Sequence, residues 1–241
     1  MSRPLLILRP EPGASETAAR ARALGLEPVI APLFAIEPLP WDPPDPAGFD
    51  ALFLTSGNAA RCGGPKLGLF AGLPCWTVGG ATAAAARTAG FEDVRAGPSD
   101  GGALAGAAAQ AGVRRALHLH GRDHVPLAGD GLRVEGRAVY ASEAVSTLPE
   151  AAAALRRPVA LIHSPRAGAL FASLVPAKNG IVIAAISPAA ADAAGTGWAR
   201  IAVARAPRDE ALLELAMKLC NNEDVRKGQS RQAGAGGTNG L

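Results

Sequence analysis

Several residue types are scarce in this chain, and each scarcity excludes something. Aromatic residues make up 4% of the 241 positions, and a single tyrosine, Tyr140, is among them. A stripe of basic and stacking residues, which single-stranded nucleic acid needs, is therefore missing. Charged residues are 19%, with a formal net charge of +3. The segment from Lys218 onward holds Lys218, Arg226, Lys227 and Arg231 against Glu223 and Asp224, a net of +2, which leaves +1 for residues 1–217. So balanced a body does not predict a nucleic-acid partner. The three cysteines (Cys62, Cys75 and Cys220) are odd in number and lack CxxC spacing, which argues against a disulfide frame or a structural zinc site. No apolar run approaches the ~20 residues of a membrane span. Near the start only Leu5 to Leu8 is continuously apolar, and no cleavage-like region follows. These features predict no signal peptide, no membrane partner and a reducing cytoplasm.

Apolar residues are 49%, enough for a packed core, and the length fits one large domain or two small ones. Short apolar runs recur, each ending in a polar or glycine-rich turn and most leading into an Ala-rich stretch. They are Leu5–Leu8, Ala51–Leu54, Cys75–Val78, Ala116–Leu119, Val159–Ile162, Ile181–Ile186 and Ile201–Ala204. The last helix is expected from Asp209. Strand–turn–helix alternation predicts a parallel α/β fold, and continuous rather than alternating apolar strands predict sheets covered on both faces. Gly90 and Gly195 stand where helices end in a left-handed residue.

The chain repeats itself. Ala51–Ser56 aligns with Val159–Ser164, Thr77–Thr82 with Ala185–Ala190, Gly90-Phe91 with Gly197-Trp198, and Pro98–Asp100 with Pro207–Asp209. Two strand-like segments, 34–39 and 138–145, fit neither copy. The expected organisation is a discontinuous domain of residues 1–33 plus 146–220 and an inserted domain of residues 40–137. The two segments then serve as linker strands that pair as a hinge. Residues 221–241 lack apolar residues to fold on and are expected to be disordered. A cleft between two such domains is a common ligand site.

Ligands of parallel α/β sheets bind beyond the carboxyl ends of the strands. That rule selects Arg9-Pro10, Thr55-Ser56-Gly57-Asn58, Gly79-Gly80-Ala81-Thr82, Gly121-Arg122, His163-Ser164-Pro165-Arg166 and Ser187-Pro188. Most combine a hydroxyl or a glycine with a helix start, which suits anions. Any one of them is better explained as a helix cap than as a ligand contact; six around one cleft point to a ligand with many anionic groups. Nucleotide fingerprints are missing, as is a G-x-S-x-G elbow. His118 and His120 share a strand face and His124 follows in a loop, but a metal site would need further ligands, so no metal is expected. Tyr140 lies on the second linker segment, where a phenol can donate a hydrogen bond to a leaving oxygen or simply pack.

Taken in order, Leu5-Leu6-Ile7-Leu8-Arg9-Pro10, Phe53-Leu54-Thr55-Ser56-Gly57-Asn58-Ala59, Thr77-Val78-Gly79-Gly80-Ala81-Thr82-Ala83, Val139-Tyr140-Ala141-Ser142, His163-Ser164-Pro165-Arg166-Ala167 and Ala185-Ile186-Ser187-Pro188-Ala189-Ala190-Ala191 resemble the uroporphyrinogen-III synthase family. The resemblance covers residues 3 to 217. It implies two flavodoxin-like α/β domains joined by a two-stranded linker, a monomer, and no metal or organic cofactor. The implied reaction is closure of the linear tetrapyrrole hydroxymethylbilane to uroporphyrinogen III, with loss of water and inversion of ring D through a spiro intermediate. The upstream hydroxymethylbilane synthase is an implied partner. By position, Tyr140 matches the linker tyrosine that assists loss of the hydroxyl. Arg9, Thr55, Ser56, Asn58, Thr82 and Ser164 match substrate-binding turns, and Gly121, Arg122 and Arg166 join them as candidates. Relatives carry a hydroxyl residue where this chain has Ala190, and Ser187 is the candidate substitute.

Two other readings compete. One is a non-catalytic two-domain receptor for a small anion. The other is a nucleotide-dependent α/β enzyme, which the absent phosphate loop disfavours.

Overall fold

The computed structural model describes residues 3–97 and 100–221. By internal packing the chain divides into two compact units, Met1–Ala35 with Ala144–Leu241, and Ile36–Glu143. The tail expected to be disordered begins at Asn221, which closes the last helix; 222–241 lie outside the described residues, as do Pro98 and Ser99 of the repeat.

The first unit contains β1 (Leu5–Ile7), α1 (Gly13–Ala23) and β2 (Pro28–Ile30). After the second unit the chain re-enters it with α5 (Glu150–Ala153), β9 (Val159–Ile162), α6 (Pro165–Leu174), β10 (Val182–Ala185), α7 (Pro188–Ala194), β11 (Arg200–Val203) and α8 (Asp209–Asn221). Its five strands lie in the order β11-β10-β9-β1-β2, and all four neighbouring pairs are parallel. Numbered by appearance within the unit, this is 2-1-3-4-5, the flavodoxin-like order. Strand alternation sends Leu5 and Ile7 to a core with α1 and α8, and Leu6 and Leu8 to a core with α6 and α7. Helix α8 reaches its core with Leu212, Leu213, Ala216, Leu219 and Cys220, one stripe at helical spacing. The alanine-rich helices pack close. A Cβ on Gly168 of α6 would sit 2.7 Å from the Ala190 carbonyl oxygen of α7.

The second unit contains β4 (Ala51–Leu54), α2 (Gly57–Cys62), β5 (Cys75–Val78), α3 (Gly79–Thr88), β6 (Val94–Gly97), α4 (Gly101–Gln110) and β7 (Arg115–Gly121). Two further strands, β3 (Phe34–Pro38) and β8 (Arg133–Ala144), carry the chain in and out. The sheet order is β3-β8-β7-β4-β5-β6. Leu52 and Leu54 face α2 and α3, while Ala51 and Phe53 face α4. The second linker segment, read from 138, is the end of a longer strand. Its first half, from Arg133, pairs in parallel with β7. Leu39 N–H donates to Val139 O and Val145 N–H to Leu33 O, so β3 and β8 run antiparallel.

The repeat now has a structural meaning. It superposes β4, β5 and β6 on β9, β10 and β11, and both sheets extend from the first of these strands in the same way, through β7 and β8 or through β1 and β2. The two units therefore share one spatial order, and one is a circular permutation of the other. In the first unit the flanking pair precedes the repeat; in the second it follows. Phe91 and Trp198, aligned in the repeat, are both buried. Gly90 and Gly195 end their helices at φ of 98° and 68°, the left-handed region that glycine adopts without a Cβ penalty.

Candidate functional site

Each sheet has a switch point, where strand connections leave in opposite directions and ligands of such folds bind. In the first unit it lies between β1 and β9, whose carboxyl ends lead to Arg9 and His163. His163 Nε2 donates to Asp209 Oδ1 at 2.9 Å, and the Thr17 hydroxyl donates to the same carboxylate at 3.0 Å. Arg20 donates to Asp209 Oδ2 at 2.8 Å; Arg9 stands 3.6 Å from Asp209 and donates to Thr17 Oγ1 at 3.2 Å. The Arg9 guanidinium lies across Gly13, where a Cβ would meet its Nε at 2.5 Å. Burial works to raise Asp209. The hydrogen bonds from His163 and Thr17, with the His163 and Arg20 charges, outweigh it and hold the carboxyl below its ordinary value. Burial and the Arg9 charge push His163 down, against the pull of Asp209.

Ser164 and Ser187 are the N-caps of α6 and α7. Their hydroxyl oxygens accept from Ala167 N–H at 3.2 Å and Ala190 N–H at 3.3 Å. Each retains an O–H with which to donate. Arg166 lies over the Phe34 ring at 4.7 Å.

In the second unit the switch point lies between β4 and β7. The Thr55 hydroxyl shares a 3.0 Å hydrogen bond with His118 Nε2, and Ser56 caps α2 by accepting from Asn58 N–H at 3.2 Å. Asn58 Oδ1 accepts from Arg61. His118 and His120 are buried, and their rings, with that of His124, form a stack with centroids 3.4 to 5.9 Å apart. Burial first, then the His120 and His124 charges, push His118 down to about 3, so it is neutral in the working range. Among the described residues, no group of three or more His, Cys, Asp or Glu is arranged to hold a metal ion. Thr82 is buried in the first turn of α3. No described side chain caps that helix, and Gly79 and Gly80 before Thr82 have open space where a Cβ would point. Among the described residues α3, like α1, has no side-chain cap, whereas α2, α4, α6 and α7 each have one, so the first-turn N–H groups of α3 suit an anion.

Tyr140 lies on β8 opposite Gly121, the last residue of β7, with its ring against that glycine. Arg122 donates to Glu143 at 2.6 Å, an exposed pair. The structure thus gathers Thr55, Ser56 and Asn58 at one strand end and Gly121, Arg122 and Tyr140 at the next, while Arg9, Ser164 and Arg166 belong to the other unit. Sequence reasoning did not single out Thr17, Arg20 and Asp209. The repeat carried the one available signal, by aligning Asp209 with Asp100. Asp100 caps α4 by accepting from Ala103 N–H at 2.8 Å, whereas Asp209 turns to His163, Thr17 and Arg20.

Fold and sites define a class: a chain of two doubly wound α/β units, related by permutation, with hydroxyls, arginines and helix starts at the carboxyl edges of both sheets. The family model described as uroporphyrinogen-III synthase HemD matches residues 15–214, most of the chain. The chain belongs to the uroporphyrinogen-III synthase family and, as a member of that enzyme family, acts in porphyrin and heme biosynthesis. It is similar to a solved uroporphyrinogen-III synthetase from Helicobacter pylori, with a TM-score of 0.63 and 19% identity over 90% of this chain and 99% of that one; this likeness shows the fold. Two solved uroporphyrinogen III synthase structures from Thermus thermophilus also match. The wild type is 16% identical over 94% of this chain and 99% of its own, with a TM-score of 0.37. A mutant is 15% identical over 95% and 99%, with a TM-score of 0.44. No curated protein matches the chain. The family assignment supports the synthase and not the anion-receptor reading.

Proposed function

We propose that the enzyme is a hydro-lyase that closes hydroxymethylbilane to uroporphyrinogen III, with Tyr140 as the group that assists departure of the hydroxyl. The C–O bond of the hydroxymethyl carbon breaks, its electron pair leaves with oxygen, and the phenol supplies the proton that makes the leaving group water. Pyrrole nitrogen stabilises the resulting cation, which explains why the site needs no strong acid. The substituted carbon of ring D attacks that cation to give the spiro intermediate. Fragmentation and reclosure turn the ring over. The proton lost as ring D regains aromaticity restores the phenol, so only water is released.

Unassisted, the bilane closes without inversion, so the enzyme's task is conformational. Holding a substrate in one geometry supplies up to ~7–11 kcal/mol of a barrier difference. Eight carboxylates on the acetate and propionate arms are the points of attachment. The open first turn of α3 receives one through backbone N–H groups. The O–H groups of Ser56, Ser164 and Ser187, with Thr55, Asn58 and Thr82, donate to others, and Arg9, Arg122 and Arg166 supply charge. The upstream hydroxymethylbilane synthase is the natural partner, because a short transfer leaves less time for unassisted closure. The free cysteines Cys62, Cys75 and Cys220 suit a reducing cytoplasm, and among the described residues no helix is long and apolar enough to cross a membrane.

The observation that carries this reading is the placement of the chain's one phenol at the carboxyl edge of the second sheet, opposite the end of β7. Tyr140→Phe keeps the ring and removes the proton. We expect kcat to fall on the order of 10²-fold, the lower range for proton-transfer groups, with an unchanged thermal midpoint. Unchanged turnover removes Tyr140 from the mechanism.

A further inference from the structure

We propose that Gly121 is a positioning residue for the Tyr140 phenol, and that His120 fixes Gly121 for this purpose. The inference rests on the reading of Tyr140 as the group that assists the leaving hydroxyl. The parallel ladder between β7 and β8 runs in step from Arg115 opposite Arg133 to His120 opposite Ala138, then slips by one residue so that Gly121 faces Tyr140. That slip brings the ring onto the glycine. A Cβ on Gly121 would lie 2.8 Å from Tyr140 Cζ, 2.9 Å from Cε2 and 3.0 Å from the hydroxyl oxygen.

Two contacts hold the slip. Arg122 N–H donates to the Tyr140 carbonyl oxygen at 2.8 Å. His120 Nδ1 lies 2.8 Å from the Gly121 carbonyl oxygen. A carbonyl only accepts, so Nδ1 carries the proton and donates. The imidazole is itself confined: it stacks on His124, and a Cβ on Gly136 would meet its Nε2 at 2.6 Å. The histidine stack, buried at His118 and His120 and not otherwise used by the reaction, thereby gains a role as the wedge behind the end of β7.

Gly121 is absent from the positive-φ residues, so its backbone suits any L-residue; space alone calls for glycine there. The atoms a methyl group would meet belong to the far end of a side chain. Gly121→Ala therefore displaces the phenol rather than the sheet. Moving from 2.8 Å to ordinary contact at 3.4 Å or more displaces the ring by about 0.6 Å, and a 1 Å misplacement can cost ~10²-fold in rate.

The test compares Gly121→Ala, Tyr140→Phe and the double variant in hydroxymethylbilane turnover. We expect Gly121→Ala to lower kcat on the order of 10-fold, with KM and thermal midpoint close to those of the parent. In the Tyr140→Phe background the same change should add nothing, because both act through one hydroxyl. Full kcat in Gly121→Ala beside a slow Tyr140→Phe overturns this inference and leaves the Tyr140 reading standing. Additive losses also overturn it, since they place the glycine's effect elsewhere. A fully active Tyr140→Phe overturns both. Should Gly121→Ala fail to fold, the parent enzyme still decides: with one tyrosine in the chain, ring-labelled protein must show nuclear Overhauser contacts from that ring to the Gly121 α-protons, and their absence refutes the geometry.

Discussion

Ile7 and His118 occupy the same place in the two units. Ile7 pairs with Leu161, the next-to-last residue of β9, and His118 with Phe53, the next-to-last residue of β4; Leu161 and Phe53 are equivalent in the repeat. The first unit fills the position with a fully buried isoleucine, and the second with a buried histidine bonded to Thr55. Two residues on, Arg9 corresponds to His120. The charge of the first unit's edge is thus collected in an Arg9, Arg20 and Asp209 network, while in the second unit the corresponding positions hold the histidine stack that backs a phenol. Equal strand order evidently fixes where polar groups stand and leaves their chemistry free.

The sharpest way to break this comparison is at the paired aspartates. Asp209→Ala strips His163, Thr17 and Arg20 of their acceptor and should cost about 2–3 kcal/mol, the upper part of the range for leaving buried hydrogen-bonding groups unpaired. Asp100→Ala removes only a helix cap, worth about 1 kcal/mol. Urea unfolding measures both, and equal costs would mean the two positions do the same work.

Acid comes next. A histidine whose folded pKa lies below its unfolded value binds its proton in the unfolded chain first. The stability it contributes is whole above pH 6.5 and drains as pH falls toward 3, at about 1.4 kcal/mol per pH unit for His118. His120 and His163 shift in the same direction. His118→Gln keeps a hydrogen-bonding partner for Thr55 and should flatten the loss between pH 6.5 and 4. An unaltered profile would show that the stack does not govern acid stability.

Smallest are two glycine substitutions with opposite signs. Gly168→Ala forces a methyl group onto the backbone of α7 and should destabilise by about 1–3 kcal/mol. Gly106→Ala in α4 points into open space and should stabilise by about 0.5–1 kcal/mol. Thermal midpoints moving in the same direction would contradict the packing described.

Much of the fold was legible because its central strands are buried on both faces and read as continuous apolar runs. Two edge strands, β2 and β6, escaped. Pro28–Ile30 is short and begins with proline, and Val94–Gly97 contains Arg95 with its side chain paired to Asp93 in solvent. The first half of β8 was hidden by Arg133, Glu135 and Arg137, charged residues that alternate along the strand, Arg137 binding Glu135 at 2.6 Å. At the site, hydroxyls that cap helices were readable from the local turn pattern, because capping is a short-range interaction. The Asp209 network was not: it joins residues 9, 17, 20, 163 and 209, and no local spacing records contacts made across nearly two hundred positions.

The central claim is that this chain directs ring closure by holding the substrate's shape. The direct measurement supplies enzymatically generated hydroxymethylbilane to the purified protein, with no metal or nucleotide added, and separates the cyclic products by isomer. The account predicts that isomer III predominates and that its share grows with enzyme concentration; exclusive formation of isomer I, as without protein, would contradict it.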